Sequence, residues 1–201
     1  MVRKPRIWFP GAKYHITSRG NRKESIFYDN EDRLKYTELL AETQKRFPFY
    51  IYTYCLMTNH IHLQIETIDH TPSQIMKYLH TKYAKYFNKR HELIGHVFQE
   101  RYGSVLIDNL DYELDVSKYI HLNPLKANLV EKLEDYAWSS YRAYVFQEER
   151  PIVQTDKILS YFPDPKRYFY ENYVKSGYIN LVFKTGYVID IPKTFRSTLY
   201  F

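Results

Sequence analysis

A hairpin that carries two histidines is the feature that most constrains this chain. Two apolar runs, Tyr54–Met57 and His60–Glu66, flank the two-residue turn Thr58-Asn59, and this spacing favours an antiparallel hairpin. Side chains alternate between the faces of a strand, so His60 and His62 point the same way, about 6–7 Å apart along the strand. The pair can bind one metal ion. Taken alone, however, the pattern more often means the polar face of a half-buried strand.

The charge of the chain favours a polyanionic partner. The 201 residues are 44% hydrophobic, enough for one compact domain with a good core. The net charge is +6 and the pI is about 9.1. Seven lysines and arginines precede the first acidic residue, Glu24, and a basic segment of this kind suits a phosphate backbone.

The compartment follows from cysteine usage and from the apolar runs. Cys55 is the only cysteine, so no disulfide can form within the chain, which fits a reducing compartment. Neither an apolar segment of signal-peptide length near the start nor a run of about eighteen apolar residues occurs in the sequence. We therefore expect a soluble, cytoplasmic protein with no membrane partner.

The order of predicted elements indicates an α+β fold. Periodicity and capping signals predict strand, helix, strand, strand, helix, strand, the split β-α-β order of ferredoxin-like folds, followed by one more helix. Its antiparallel sheet should have helices on one face and leave the other face open to a ligand. The predicted strands are 13–18, 50–57, 60–66 and 98–107. The predicted helices are 30–47, 72–90 and a third that is capped by Asp111 and runs through Leu122.

A search for a nucleophile selects a tyrosine near the end of the last of these helices. A tyrosine with an amide side chain four residues later, on the same helix face, occurs only as Tyr119 with Asn123 and as Tyr168 with Asn172. Pro124 disfavours helical geometry at the residue before it, which places Asn123 at the end of the helix.

Five blocks of sequence, in order, carry a resemblance to a known family. Together they resemble the REP-associated tyrosine transposases, a branch of the HUH single-strand transposases named for the His-hydrophobe-His strand. The resemblance spans about residues 5–145, and the remainder of the chain shows little of it. The blocks are Phe9–Asn21, Tyr54–Leu63, Gly95–Tyr102, Tyr119–Pro124 and Trp138–Tyr141.

The resemblance implies an active site and a reaction. It makes His60 and His62 metal ligands, Asn123 a third ligand of amide type, and Tyr119 the nucleophile. Mg²⁺ or Mn²⁺ is the implied cofactor, and Mn²⁺ tolerates two imidazoles better. Tyr119 would displace the 3′ oxygen of a phosphodiester and form a 5′-phosphotyrosine. His121 would lie on another side of the helix and be structural.

The resemblance also implies a substrate and a domain plan. Family members act on single-stranded DNA with hairpins from repetitive extragenic palindromes. We expect a transposase domain at 1–145 and a C-terminal extension at 146–201 packed on it, in a monomer or a homodimer. The basic candidates for DNA contact are Arg19, Arg22, Lys77, Lys85 and Arg101.

Two other functions stay open from the sequence. A metal-dependent nuclease would use water as the nucleophile, with Tyr119 only packing. A non-catalytic DNA-binding or regulatory protein could be built on the same fold. Two-histidine phosphodiesterases need a second His-x-Thr or His-x-Ser motif, which is absent. Replication initiators and relaxases usually carry extra domains, for which 201 residues leave little room.

Overall fold

A four-stranded antiparallel sheet forms the centre of the molecule, as predicted. The computed structural model describes residues 7–182. The strands lie in the order β2-β3-β1-β4, and each neighbouring pair is antiparallel. This order places β1 directly beside the histidine strand β3. The strands are β1 (Lys13–Arg19), β2 (Phe49–Leu56), β3 (His60–Thr67) and β4 (Gly103–Ile107).

Two long helices cover one face of the sheet. They are α1 (Asn30–Arg46) and α2 (Pro72–Arg90), and they pack on alternate residues of β1 such as Ile16. Local sequence fixes where each begins. The side chain of Asp29 accepts from the backbone N–H of Asp32 at 3.1 Å, and α2 begins with a capping box.

The opposite face is also covered, so the expectation of an open face is wrong. Helix α3 (Leu110–Lys126) lies across it, with Val116 and Ile120 in a cluster that includes Cys55 of β2. Gln64 Nε2 of β3 donates to the Glu113 carbonyl at 3.0 Å. The second face carries apolar side chains that pack on the helix and a polar side chain that hydrogen-bonds to it. Only one end of this face of the sheet remains accessible.

Strand β4 and helix α3 differ from their predicted bounds. Residues 98–102 are not part of β4, although Phe98 forms an isolated antiparallel bridge with Gly20 just after β1. Val97 and Tyr102 are buried in the core, and Phe98 stacks on His80 of α2, with ring centroids 4.0 Å apart. The cap of helix α3 is Asn109 rather than the predicted Asp111, so the helix begins two residues earlier than predicted. It continues through Pro124 to Lys126, because a proline in the last turn removes only one helical hydrogen bond.

Three further helices follow α3 in the described part of the chain, and the longest packs on α3. They are α4 (Tyr141–Val145), α5 (Asp156–Leu159) and α6 (Lys166–Val182). His121 of α3 is fully buried between Ser140 Oγ, at 2.8 Å from Nε2, and the hydroxyl of Tyr170 of α6, at 2.7 Å from Nδ1. These contacts fix the position of α3, and His121 is structural, as predicted.

Two observations bear on the remaining expectations. Among the described residues, the helices are too short or too polar to cross a bilayer. Part of the basic N-terminal segment (Arg3, Lys4 and Arg6) and the last part of the C-terminal extension lie outside the described residues.

Candidate active site

The two histidines open β3 at the accessible end of the sheet. In the pairing with β1, His60 lies opposite Arg19 and His62 lies opposite Thr17. Both imidazoles are on the face covered by α3, and their ring centroids are 5.0 Å apart. Strand alternation therefore brings the two rings together as the sequence predicts.

Tyr119 projects from α3 toward these histidines. Its ring meets the His62 ring edge-on, with centroids 5.4 Å apart, and the His15 ring at 5.7 Å. The side chain keeps 40% of its surface exposed. The Nζ atom of Lys126, two turns further along α3, lies 4.7 Å from the centroid of the Tyr119 ring. The tyrosine thus faces the histidines of its own chain, next to a cation.

A cavity of about 380 Å³ joins these groups. It holds two guanidinium groups, those of Arg19 and Arg101, beside both histidines and Tyr119. The arrangement offers positive charge next to an exposed phenol, which suits an anionic ligand such as a phosphodiester. The lining residues are Thr17, Ser18, Arg19, His60, His62, Gln99, Glu100, Arg101, Gly103 and Tyr119.

Each histidine uses its Nδ1 atom for a hydrogen bond inside the protein. His60 Nδ1 lies 2.7 Å from Asn59 Oδ1, and His62 Nδ1 lies 3.0 Å from His15 Nε2. Burial, followed by the charge of Arg19, lowers the pKa of His60 to about 4. Burial, with smaller contributions from His15 and His60, also lowers the pKa of His62 to about 2. Both rings are neutral at pH 7, the form that binds metals.

The two imidazoles fit a divalent metal ion as a partial ligand set. Their Nε2 atoms are not used by these hydrogen bonds, and the cavity leaves room for water and phosphate oxygens to complete the coordination. Among the described residues, no three His, Cys, Asp or Glu side chains are grouped as a ready-made metal site. The donors present suit a metal ion that shares its coordination with substrate and water, as catalytic ions do.

Asn123 is not brought to the histidines. Its Nδ2 atom donates to the backbone carbonyl of Tyr119 at 2.8 Å, and the residue is 8% exposed. It does not line the cavity. A role as a ligand requires its side chain to turn away from this hydrogen bond.

Four of the five basic candidates line a second, larger groove or the cavity beside it. A groove of about 800 Å³ runs between α2 and residues 95–102, with Lys77 and Lys85 on its wall. Arg101 lines both the groove and the cavity. Arg19 lines the cavity alone, and Arg22 is exposed on the turn after β1 and lines neither.

Three residues at the site, His15, Asn59 and Lys126, were not predicted from the sequence. His15 lies on the strand that the ferredoxin-like order places next to the histidine strand, and it shares a face with Thr17. Lys126 follows Tyr119 at a spacing of seven residues, which brings the two onto one helix face. Strand order could have identified His15 and helical spacing could have identified Lys126, whereas Asn59 is marked only by its position beside His60 in the turn.

Comparison with known proteins identifies the family. Residues 9–123 match the family described as "Transposase IS200 like". A Haemophilus influenzae protein described as a REP-associated tyrosine transposase is 28% identical over 136 residues, which cover 62% of this chain and 74% of that protein.

A solved structure of a REP-associated tyrosine transposase shares the fold. The structure of a REP-associated tyrosine transposase bound to a REP hairpin matches with a TM-score of 0.62 and 20% identity, over 79% of this chain and 93% of that chain. A Deinococcus radiodurans protein described as a transposase matches 59% of this chain and 95% of its own, with 15% identity and a TM-score of 0.42. With more than half of its residues matched to the family, this chain belongs to the IS200-like transposases.

Proposed function

We propose that the protein is a metal-dependent transesterase that cleaves and rejoins single-stranded DNA through Tyr119. One observation carries the proposal. An exposed tyrosine, two neutral histidines and two arginines line the same cavity. A nucleophile, donors for a metal ion and positive charge are the three components that phosphodiester transfer needs in one place.

The reaction begins with attack by the Tyr119 hydroxyl oxygen on phosphorus. An O–P bond to the tyrosine forms, the bond from phosphorus to the 3′ oxygen breaks, and the phenol proton ends on the released 3′-hydroxyl by way of solvent. The product is a 5′-phosphotyrosine. Because one phosphodiester replaces another, the reverse attack by a 3′-hydroxyl of a different strand rejoins DNA without added energy.

The side chains around Tyr119 have separable roles in this proposal. His60 and His62 would hold Mg²⁺ or Mn²⁺, and Asn123 would add its Oδ1 atom as a third ligand once its side chain turns away from the Tyr119 carbonyl. A bound ion would polarise a phosphoryl oxygen and stabilise the charge that develops during attack. Lys126, 4.7 Å from the ring centroid, favours negative charge on the attacking phenol.

The substrate proposed is hairpin-bearing single-stranded DNA. The large groove and the active-site cavity share residues 99–101, so a strand that follows Lys77 and Lys85 along α2 can reach the cavity at Arg101. Lysines and arginines along a groove bind the DNA backbone irrespective of sequence. A solved relative of the same fold is bound to a REP hairpin, which supports a hairpin as the structured part of the substrate.

A covalent adduct is the direct test. Purified protein is mixed with Mn²⁺ or Mg²⁺ and a pool of single-stranded hairpin oligonucleotides drawn from the DNA that flanks its gene. Denaturing gels and peptide mass spectrometry then locate any adduct. We expect DNA attached to Tyr119, no adduct with Tyr119→Phe, and nearly unchanged DNA binding by that variant, because only the attacking oxygen is lost.

A matched control and the alternative outcomes make this test decisive. Tyr168→Phe changes another exposed tyrosine outside the cavity and should leave the adduct intact. Cleavage without an adduct would support a nuclease that uses water. Tight binding of a sequence in the pool without cleavage would support a non-catalytic regulatory protein.

A further inference from the structure

We propose that His15 and Asn59 are positioning residues that fix both cavity histidines with the proton on Nδ1 and a free Nε2 lone pair. The inference rests on the proposed role of His60 and His62 as metal ligands. Neither His15 nor Asn59 would contact the metal or the DNA. Each would act through the histidine to which it is hydrogen-bonded.

The contact between His15 and His62 has the geometry of a hydrogen bond between two ring edges. The nitrogens are 3.0 Å apart, while the ring centroids are 5.2 Å apart and the planes differ by 26°. The two nitrogens therefore lie close to the line that joins the centroids. An N–H bond in the plane of one ring then points at the lone pair of the other, so one proton is shared between them.

The contact between Asn59 and His60 has a defined direction. Asn59 Nδ2 donates to the backbone carbonyl of Lys23 at 3.0 Å, which turns the amide so that Oδ1 faces His60 Nδ1 at 2.7 Å. An amide oxygen only accepts hydrogen bonds. His60 must therefore donate from Nδ1, and its neutral ring has an unprotonated Nε2.

The same assignment makes His62 competent to bind a metal. A neutral imidazole carries one proton, so accepting at Nδ1 would protonate Nε2 and block it as a ligand. With Nδ1 donating to His15 Nε2, the Nε2 lone pair of His62 is free. Hydrogen bonds to the second nitrogen commonly select the tautomer of metal-binding histidines. Here the amide of Asn59, on the turn, accepts from His60. A third histidine, His15 on β1, accepts from His62.

Nuclear magnetic resonance of the metal-free protein tests the assignment directly. Long-range ¹H–¹⁵N spectra at pH 7.5, where a histidine of ordinary pKa is mostly neutral, report which ring nitrogen is protonated. A histidine free in water prefers the proton on Nε2. We expect His60 and His62 to carry it on Nδ1, and a proton on Nε2 of His62 in the wild type would overturn the inference.

Two variants should change the tautomers selectively. His15→Leu should return His62 to the Nε2–H form and leave His60 unchanged, whereas Asn59→Ala should affect only His60. Each should weaken Mn²⁺ binding, measured by calorimetry, by roughly 10–100-fold. His15→Gln offers an amide oxygen as acceptor and should restore both the tautomer and most of the affinity. If His15 and Asn59 only stabilised the fold, their substitution would not change the tautomer of one histidine and leave the other unchanged.

The same experiments separate failure of this inference from failure of the proposed function. If the wild type binds no Mn²⁺, or His62→Ala binds it as tightly, the metal role fails and the inference fails with it. If binding needs His62 but His15→Leu matches the wild type in affinity and tautomer, only the inference fails. Circular dichroism of each variant confirms that it is folded.

Discussion

Acid should loosen the attachment of the tyrosine helix through His121. This residue lies two positions after Tyr119, is 1% exposed, and is hydrogen-bonded to Ser140 and Tyr170. Burial lowers its pKa to about 3. The native state therefore keeps His121 neutral at pH values where the unfolded chain protonates it.

The size of the effect follows from proton linkage. An unfolded histidine has a pKa of about 6.5, so below that pH the unfolded state binds one more proton than the native state. The free energy of unfolding then falls by about 1.4 kcal/mol per pH unit from this group, until the native pKa is reached. At pH 5.0 the loss from His121 is about 2 kcal/mol, and above pH 7 it vanishes.

Urea unfolding of metal-free protein at pH 7.5 and 5.0 measures this loss. Other buried histidines also contribute, so the wild type is compared with His121→Gln, which can keep both hydrogen bonds and does not titrate. We expect the wild type to lose about 2 kcal/mol more than the variant between the two pH values. His96→Gln, at an exposed position, should behave as the wild type. Equal losses for the wild type and His121→Gln would refute the assignment of the proton to His121.

Three further substitutions test other contacts. Lys126→Gln removes the cation beside Tyr119 and should slow adduct formation about tenfold, the equivalent of 1–2 kcal/mol; Lys126→Arg, measured in the same assay, should not. Asn123→Ala should weaken Mn²⁺ binding in calorimetry, and an unchanged affinity would remove Asn123 from the proposed ligands. Arg90→Met leaves buried Asp32 without the guanidinium now 2.6 Å away. The free energy of unfolding should fall by about 2–3 kcal/mol, which corresponds to a fall of about 4–12 °C in Tm. A Tm within about 1–2 °C of the wild type, the error of a thermal scan, would contradict that account.

The elements that the sequence predicted well are those with a local physical cause. Alternation in β3 and the Thr58-Asn59 turn determine which side chains share a face, so the meeting of His60 and His62 was predictable. Helix α2 begins at the predicted residue because the Thr71 cap and Pro72 act within a single turn. Such signals need no knowledge of the rest of the fold.

The errors concern contacts between distant segments. Strand β4 was predicted to begin five residues too early. Phe98 does pair with Gly20 in an isolated bridge, but its ring packs on α2 and the regular ladder with β1 begins only at Gly103. The position of α3 across the second face was missed for the same reason. His15 was overlooked because its partner, His62, is 47 residues away and becomes a neighbour only through strand order.

The distance between Tyr119 and the histidines depends in part on residues outside the segment that matches the family. The match ends at residue 123, and the histidines are held by the sheet, but Tyr119 is held only by the packing of α3. Besides its contacts with Cys55 and Gln64 of the sheet, α3 is held by Ser140 and by Tyr170, which stacks on Tyr144 with centroids 4.5 Å apart. These contacts join both sides of the boundary predicted at residue 145. A shift of α3 would move Tyr119 without disturbing the histidines, so the helices after α3 belong physically to the candidate active site.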